Sequence, residues 1–368
     1  MLSILFYIIW IANIIFCILR KRSKILTLIS IIFTILLFAG NTGNGDYLIY
    51  YREYNLNGME SFQLGFSMLA KICLFFHLSY NGFLLVVCLI CYGLVFRYLK
   101  EYTMNFSCFF SLYFTILIFY DINQVRNFIV ACILTIAIIK LSKGRKKEYL
   151  FLIILACFFH VIAIIYIPFV LINPENTSFP YLYKLLLVLV LGFCLIIFFN
   201  GNEIPLLTKF LKSFFEDTGL EDKTVYFMKK MRFGFLLTFT MDFFNIMLVS
   251  ISKKIMKNNN YFCKNKKYEF LTNTVYAFNL LTICSFPLQM INHNFYRIFR
   301  NLNIINYFIA SMTIDSFTYK NKDLYTRAYF MYILILFLYS IFWMVSIMYK
   351  YQAGNTQILM ILHNNVIL

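Results

Sequence analysis

Asp121-Ile122-Asn123-Gln124-Val125-Arg126-Asn127-Phe128 is a polar knot between two apolar runs, Phe106 to Tyr120 before it and Ile129 to Leu141 after it. Each run is long and apolar enough to be a membrane helix. The knot is therefore a turn between two spans, and Arg126 sits at a membrane boundary or a little inside it. A cation there is costly unless it has a partner. Its planar, permanently charged fork suits a phosphate better than a lysine would, and the start of a helix adds its own attraction for anions. Two readings of Arg126 follow: an arginine that snorkels to lipid headgroups, or one that faces a diphosphate on a lipid carrier.

The rest of the chain has the same character. Of its 368 residues, 61% are apolar and 13% charged, and the mean hydropathy is +0.75. That exceeds the apolar share of an ordinary globular domain, and the apolar positions fall in runs of roughly 17 to 25 residues. The chain reads as an all-α integral membrane protein of about ten or eleven spans, one polytopic domain over residues 1–368. Met1 to Leu19 lacks a basic start and a small-residue cleavage site, so it is expected to stay as a helix. The ten cysteines show no metal-ligand spacing apart from a lone Cys88-x-x-Cys91 and read as small apolar fillers. The net charge of +17 reflects basic loops on one side of the bilayer and is no argument for nucleic acid.

Those loops orient the spans. Arg20-Lys21-Arg22-Ser23-Lys24 places the end of the first helix in the cytoplasm, and Ile25 to Ala39 then delivers the glycine-rich segment Gly40 to Arg52 to the outer face. Ser61 to Phe76 carries Gln63 and Lys71; reading it as an interfacial or re-entrant helix keeps Arg97 and Lys100 inside. Phe83 to Phe96, Phe106 to Tyr120 and Ile129 to Leu141 then alternate to the basic loop Lys143 to Lys147. Three apolar segments follow, Tyr149 to Ile172, Leu182 to Phe199 and Phe233 to Ile251, yet the lysine-rich stretch Lys253 to Lys267 must again be inside. One of the three fails to cross, or a further crossing lies near Ile204 to Phe215. The segment with His160 and Pro168 is the suspect, because irregular backbone at membrane depth is tolerated where it lines a cavity. Outer loops are expected near 40–60 and 200–232, and the tail from Tyr349 has no clear place.

On this topology the outer mouth collects Asp46, Tyr47, Tyr50, Gln124, Arg126, Tyr296, Arg297 and Arg300, with His160 in a neighbouring segment. Paired arginines and neutral donors suit a diphosphate, and tyrosines suit a sugar. Each has a plainer reading: His160 as a core histidine, Arg297 and Arg300 as interfacial anchors, and Asp46 as the end of a turn. No nucleotide loop, zinc-protease motif or nucleophile elbow is present in a suitable place.

Three pieces together resemble the EpsG/Wzy-type family of polysaccharide polymerases: Asp46-Tyr47-x-x-Tyr50 after the second helix, Gln124-x-Arg126 opening a helix, and Phe159-His160 after a basic loop. Tyr296-Arg297 also fits, and the likeness extends over most of the chain. It implies a multi-pass protein of the bacterial plasma membrane that assembles capsule, exopolysaccharide or O-antigen repeats carried on undecaprenyl diphosphate. The implied fold is similar to the GT-C class of lipid-dependent glycosyltransferases, with no metal or nucleotide cofactor and with a chain-length regulator as a partner. Arg126 and Arg297 would hold the diphosphate, His160 or Asp46 would act as base or orient the acceptor, and Tyr50 would line the sugar site. Tyr47, Gln124, Tyr296 and Arg300 complete the substrate side. The chain departs from the family pattern at Val161 and Ala163, where a small hydroxyl residue is common beside the histidine. A flippase for lipid-linked oligosaccharide and a membrane O-acyltransferase are the alternatives.

Overall fold

The structure is a computed structural model that describes residues 2–57, 62–102, 104–173, 175, 179–202, 234–264, 266–320, 327–350 and 360–367. The protein is an all-α integral membrane protein. Among the described residues six helices are long and apolar enough to cross a bilayer, and five more apolar helices are shorter. The apolar runs set the spans, and polar residues set their ends. Helix α1 (Leu2–Ile18) turns through the basic loop into α2 (Lys24–Ala39), which Ser23 caps by accepting a hydrogen bond from Leu26 N at 3.1 Å. Two short helices, α3 (Tyr47–Asn57) and α4 (Leu64–Phe75), precede the span α5 (Tyr80–Leu99), which Ser79 caps. Next come α6 (Phe106–Asn123), capped by Asn105, and α7 (Val125–Ser142). Gln124 alone separates them.

Three charged contacts gather the basic loops on one face. Arg22 pairs with Asp315 at 2.9 Å, Lys143 pairs with Glu101, and Lys267 Nζ donates to the Glu101 carbonyl at 2.7 Å. The positive-inside rule makes this basic face the cytoplasmic one. Helix α4 does not separate Arg97 from the other basic residues: Gln63 before it bonds Arg126, and Leu78 after it bonds Tyr54 of α3. The expectation that this piece stays on the opposite face agrees with those contacts.

The parity of the middle segments is settled by a hairpin. Helix α8 (Lys146–Phe159) stops at His160, whose backbone is extended, and the chain continues as a 3-10 helix, Val161–Leu171. Tyr149 Oη donates to the Tyr166 carbonyl. In one straight helix those residues would lie roughly 25 Å apart, so the chain folds back on itself. Asn173 and Glu175 return to line a cavity with Ser142, Lys143 and Lys267 at the basic face. The segment Tyr149 to Ile172 thus leaves and returns, with His160 at its tip. Helices α9 (Phe179–Phe199) and α10 (Gly234–Asn258) follow. The expected outer loop at 200–232 and the suspected crossing near Ile204 lie almost wholly outside the described residues.

After a short turn at Tyr261–Lys264, α11 (Lys266–Ile291) leads away from the basic face, a 3-10 turn at His293–Tyr296 and a helical turn at Arg297–Arg300 reverse the chain, and α12 (Asn303–Lys320) returns. Helix α13 (Arg327–Lys350) is the last span among the described residues. Helices α6, α7 and α12 form the interior, while α9 and α13 expose leucine, isoleucine and phenylalanine outward, as lipid-facing helices do. Interior polar groups join helices: Asn279 and Asn306 exchange two amide hydrogen bonds at 2.8 and 2.9 Å, and Asn245 accepts from Tyr339 at 2.6 Å. Such cross-helix bonds are a main source of cohesion where lipid offers no hydrophobic drive. Of the tail that the sequence leaves unplaced, residues 360–367 pack on the loop after α2. Val366 N donates to the Gly40 carbonyl at 2.8 Å and Thr42 N to the Asn364 carbonyl at 2.9 Å. A Cβ on Gly40 or Gly43 would strike the Asn365 or Asn364 side chain.

Candidate active site

The face opposite the basic loops carries a polar cluster built from five separate parts of the chain. Gln124 is its hub. Its non-helical backbone ends α6 and lets α7 begin, so the side chain lies between the two helices. Gln124 Oε1 accepts from Arg300 Nη1 at 2.6 Å and from Asn127 at 3.3 Å, while its Nε2 donates to Tyr296 Oη at 2.9 Å. The second arm of Arg300 binds Asp121, and the other oxygen of Asp121 accepts from Tyr113 at 2.8 Å. Arg300 and Asp121 are each 1% exposed. Tyr113 opens a π-helical turn, Tyr113–Leu117, within α6. Turns of this kind recur at functional sites.

Arg126, the second residue of α7, faces the other way. Its Nε donates to Tyr50 Oη at 3.1 Å and its Nη1 to Gln63 Oε1 at 2.6 Å. The guanidinium lies 4.4 Å from the Phe62 ring centroid, and Phe62 in turn stacks on Tyr50. Both partners of the fork are neutral, so its charge is not cancelled. Arg297 is more open still: its Nε is buried and makes no hydrogen bond. Among the described residues neither arginine is within ion-pair distance of a carboxylate.

Asp46 and His160 complete the group. The Asp46 backbone N–H donates to the side chains of Asn44 at 3.0 Å and Asn123 at 3.2 Å, so the polar knot itself holds the loop. Burial lifts the Asp46 carboxyl above its ordinary range, and the positive charges of Arg297 and Arg126 pull it part of the way back. The same two arginines act on the His160 ring. His160 caps the returning 3-10 helix, its Nδ1 accepting from Ile162 N at 3.2 Å. With Nδ1 engaged as an acceptor, a neutral ring carries its proton on Nε2 and offers a donor rather than a lone pair. Two contacts fix the hairpin tip: α4 presses against it at Gly65, where a Cβ would come 3.0 Å from the Phe158 carbonyl oxygen, and Tyr166 Oη donates to the Ile298 carbonyl.

The structure therefore brings Asp46, Arg126, Arg297 and His160 to one place. The other sequence candidates lie around and beneath them. Arg300, Gln124 and Tyr296 form the buried network beneath, Tyr50 holds Arg126, and Tyr47 donates to Asn81 at 3.4 Å while stacking on Tyr51. Sequence reasoning gave no role to Gln63, Phe62 and Asn123 and did not pair Asp121 with Arg300. The polar doublet of Asp121 with a distant arginine in an apolar chain was the one available signal, since an intramembrane carboxylate needs a cation.

An all-α membrane core with an arginine-bearing polar cluster at one face defines the class. The chain belongs to the EpsG family, which it matches over residues 24–353. No curated protein and no solved structure matches it. Family membership points to a polysaccharide-polymerase type of function.

Proposed function

We propose that the protein polymerises lipid-linked oligosaccharide repeats at the outer face of the bacterial plasma membrane. It moves a glycan from undecaprenyl diphosphate to a sugar hydroxyl of a second lipid-linked unit. The observation that carries this reading is the convergence of Arg126 and Arg297, from distant parts of the chain, on Asp46 and His160, with neither arginine in an ion pair with a described carboxylate. The acceptor hydroxyl oxygen attacks the anomeric carbon as the bond from that carbon to the diphosphate oxygen breaks. The hydroxyl proton passes to the Asp46 carboxylate. The diphosphate leaves with the bonding electrons, and Arg126 and Arg297 stabilise the charge that develops on it. His160 donates from Nε2 to the same oxygens.

A second feature supports a lipid donor. An apolar cleft of about 530 Å³ runs beside the hairpin, lined by Ile165, Phe169, Tyr183, Leu186, Leu288 and Ile298. Ile298 adjoins Arg297, so a prenyl chain in the cleft would deliver its diphosphate to the arginines. The reading is tested in a deletion strain complemented with variants. Arg126→Lys and Arg126→Ala are expected to leave lipid-linked repeats as single units on the outer leaflet while the protein reaches the membrane. Normal polymer length in the lysine variant would overturn the diphosphate grip, and repeats trapped on the inner leaflet would mark a flippase instead.

A further inference from the structure

Two contiguous cavities of about 510 and 520 Å³ lie at the basic face, far from the cluster above, and share Ile31, Lys100 and Phe106. Arg22, Lys24, Arg97 and Lys100 surround their mouth. Arg22 is engaged by Asp315, but the side chains of Lys24, Arg97 and Lys100 make no hydrogen bond or ion pair with any described residue. The N-terminus of the 16-residue helix α2 opens into the same space through Ser23 and Lys24. Deeper in the wall is Ser107, 2% exposed, whose hydroxyl oxygen has no hydrogen-bond partner. A buried hydroxyl of this kind costs free energy unless something satisfies it. Free cations, a helix start and an orphaned hydroxyl on one wall are what an anion with hydrogen-bonding oxygens would fill.

The rest of the groove is apolar. Leu28, Ile31 and Phe96 continue it along α2 and α5, and Gly93 leaves a notch in α5 with no atom within 4 Å of where a Cβ would be. Charge at the leaflet boundary with a greasy channel running inward is the shape of a phospholipid, headgroup first. We propose that this groove holds one anionic phospholipid of the cytoplasmic leaflet, its phosphate among Lys24, Arg97, Lys100 and Ser107 and an acyl chain over Gly93. Juxtamembrane lysines and arginines on this side attract anionic lipid at about 1 kcal/mol each. The site lies on the face opposite the glycan chemistry and does not depend on it.

The test uses the purified full-length protein, stripped of lipid in detergent and titrated with phosphatidylglycerol, phosphatidylcholine or inorganic phosphate under native mass spectrometry. One phosphatidylglycerol is expected to stay bound, with phosphatidylcholine and millimolar phosphate failing to displace it. The triple variant Lys24→Gln/Arg97→Gln/Lys100→Gln is expected to weaken binding by about a hundredfold. Gly93→Phe changes no charge and enters open space, so it should fold normally and weaken binding by about fivefold. Equal retention of the two lipids, or an unchanged triple variant, overturns the proposal. Displacement of lipid by free phosphate would overturn it too, since the groove would then take a soluble anion.

Discussion

Arg297 and Arg300 lie one helical turn apart, and their surroundings are opposite in kind. Arg300 is sealed in the interior with Asp121 and Gln124, both terminal nitrogens of its fork directed by protein. Arg297 has a buried nitrogen with nothing to bind. The buried pair costs desolvation, which its mutual attraction and hydrogen bonds only offset. What it provides is a fixed junction between α6 and the turn that follows α11. Arg297 and Arg126 then stand on a rigid base with their charge unspent. A site that must stabilise a leaving diphosphate needs both halves: cations not yet neutralised, and a framework that does not collapse onto them.

Breaking the closed half should give the largest effect. Arg300→Ala leaves Asp121 buried without its cation, and a loss of about 3–5 kcal/mol is expected, read as a fall in the melting temperature in detergent and in membrane yield. Arg300→Met with Asp121→Leu should recover most of that loss, and if it does not, the pair is more than a structural junction. In the open half, Arg126→Lys and Arg297→Lys are each expected to cut the polymerisation rate by about 10²–10³ with the melting temperature unchanged. A parallel loss of stability would erase the contrast between the two arginines.

Asp46 tests the chemistry within the open half. Its carboxyl is held above the ordinary range by burial, and a base must be deprotonated to accept a proton. The rate should therefore fall as pH drops through that raised value, giving an acid limb above the usual carboxylate range. Asp46→Asn is expected to lose at least about a hundredfold in rate and the limb with it. A limb that persists in the residual activity assigns it to another group. The smallest effect belongs to the tail: Asn365→Ala removes its side-chain bonds to the Leu36 and Leu37 carbonyls and should cost about 1 kcal/mol, seen as faster proteolysis of the 40–46 loop.

Much of this was legible in the chain because lipid imposes simple rules. The apolar runs located helices to within a few residues, as at Leu2–Ile18, Lys24–Ala39 and Phe106–Asn123. Basic loops fixed which ends share a face, and the parity of those loops singled out the His160 segment for irregular structure. The reversal itself was not legible, since an apolar segment of that length reads equally as one long span or two short limbs. Arg300 could not be told from Arg297 either: both are arginines in one aromatic turn, and only the position of Asp121 across the bundle separates them. The tail's docking combines backbone bonds at Asn364 and Val366, which carry no side-chain signature, with amide contacts of Asn365 to backbone carbonyls, which any exposed asparagine could make.

The returning limb of the hairpin has a further consequence. Eleven residues wound as a 3-10 helix span roughly 22 Å, nearly the rise of the fourteen α-helical residues they descend beside, roughly 21 Å. Rewound as an α-helix the limb would be about 5 Å shorter and would drag its imidazole toward the bilayer centre. Pro168 opposes that change, because its ring would collide with the Ile164 carbonyl and it has no N–H to give. The proline acts as a spacer: by keeping the thread stretched, it sets the depth at which the ring sits.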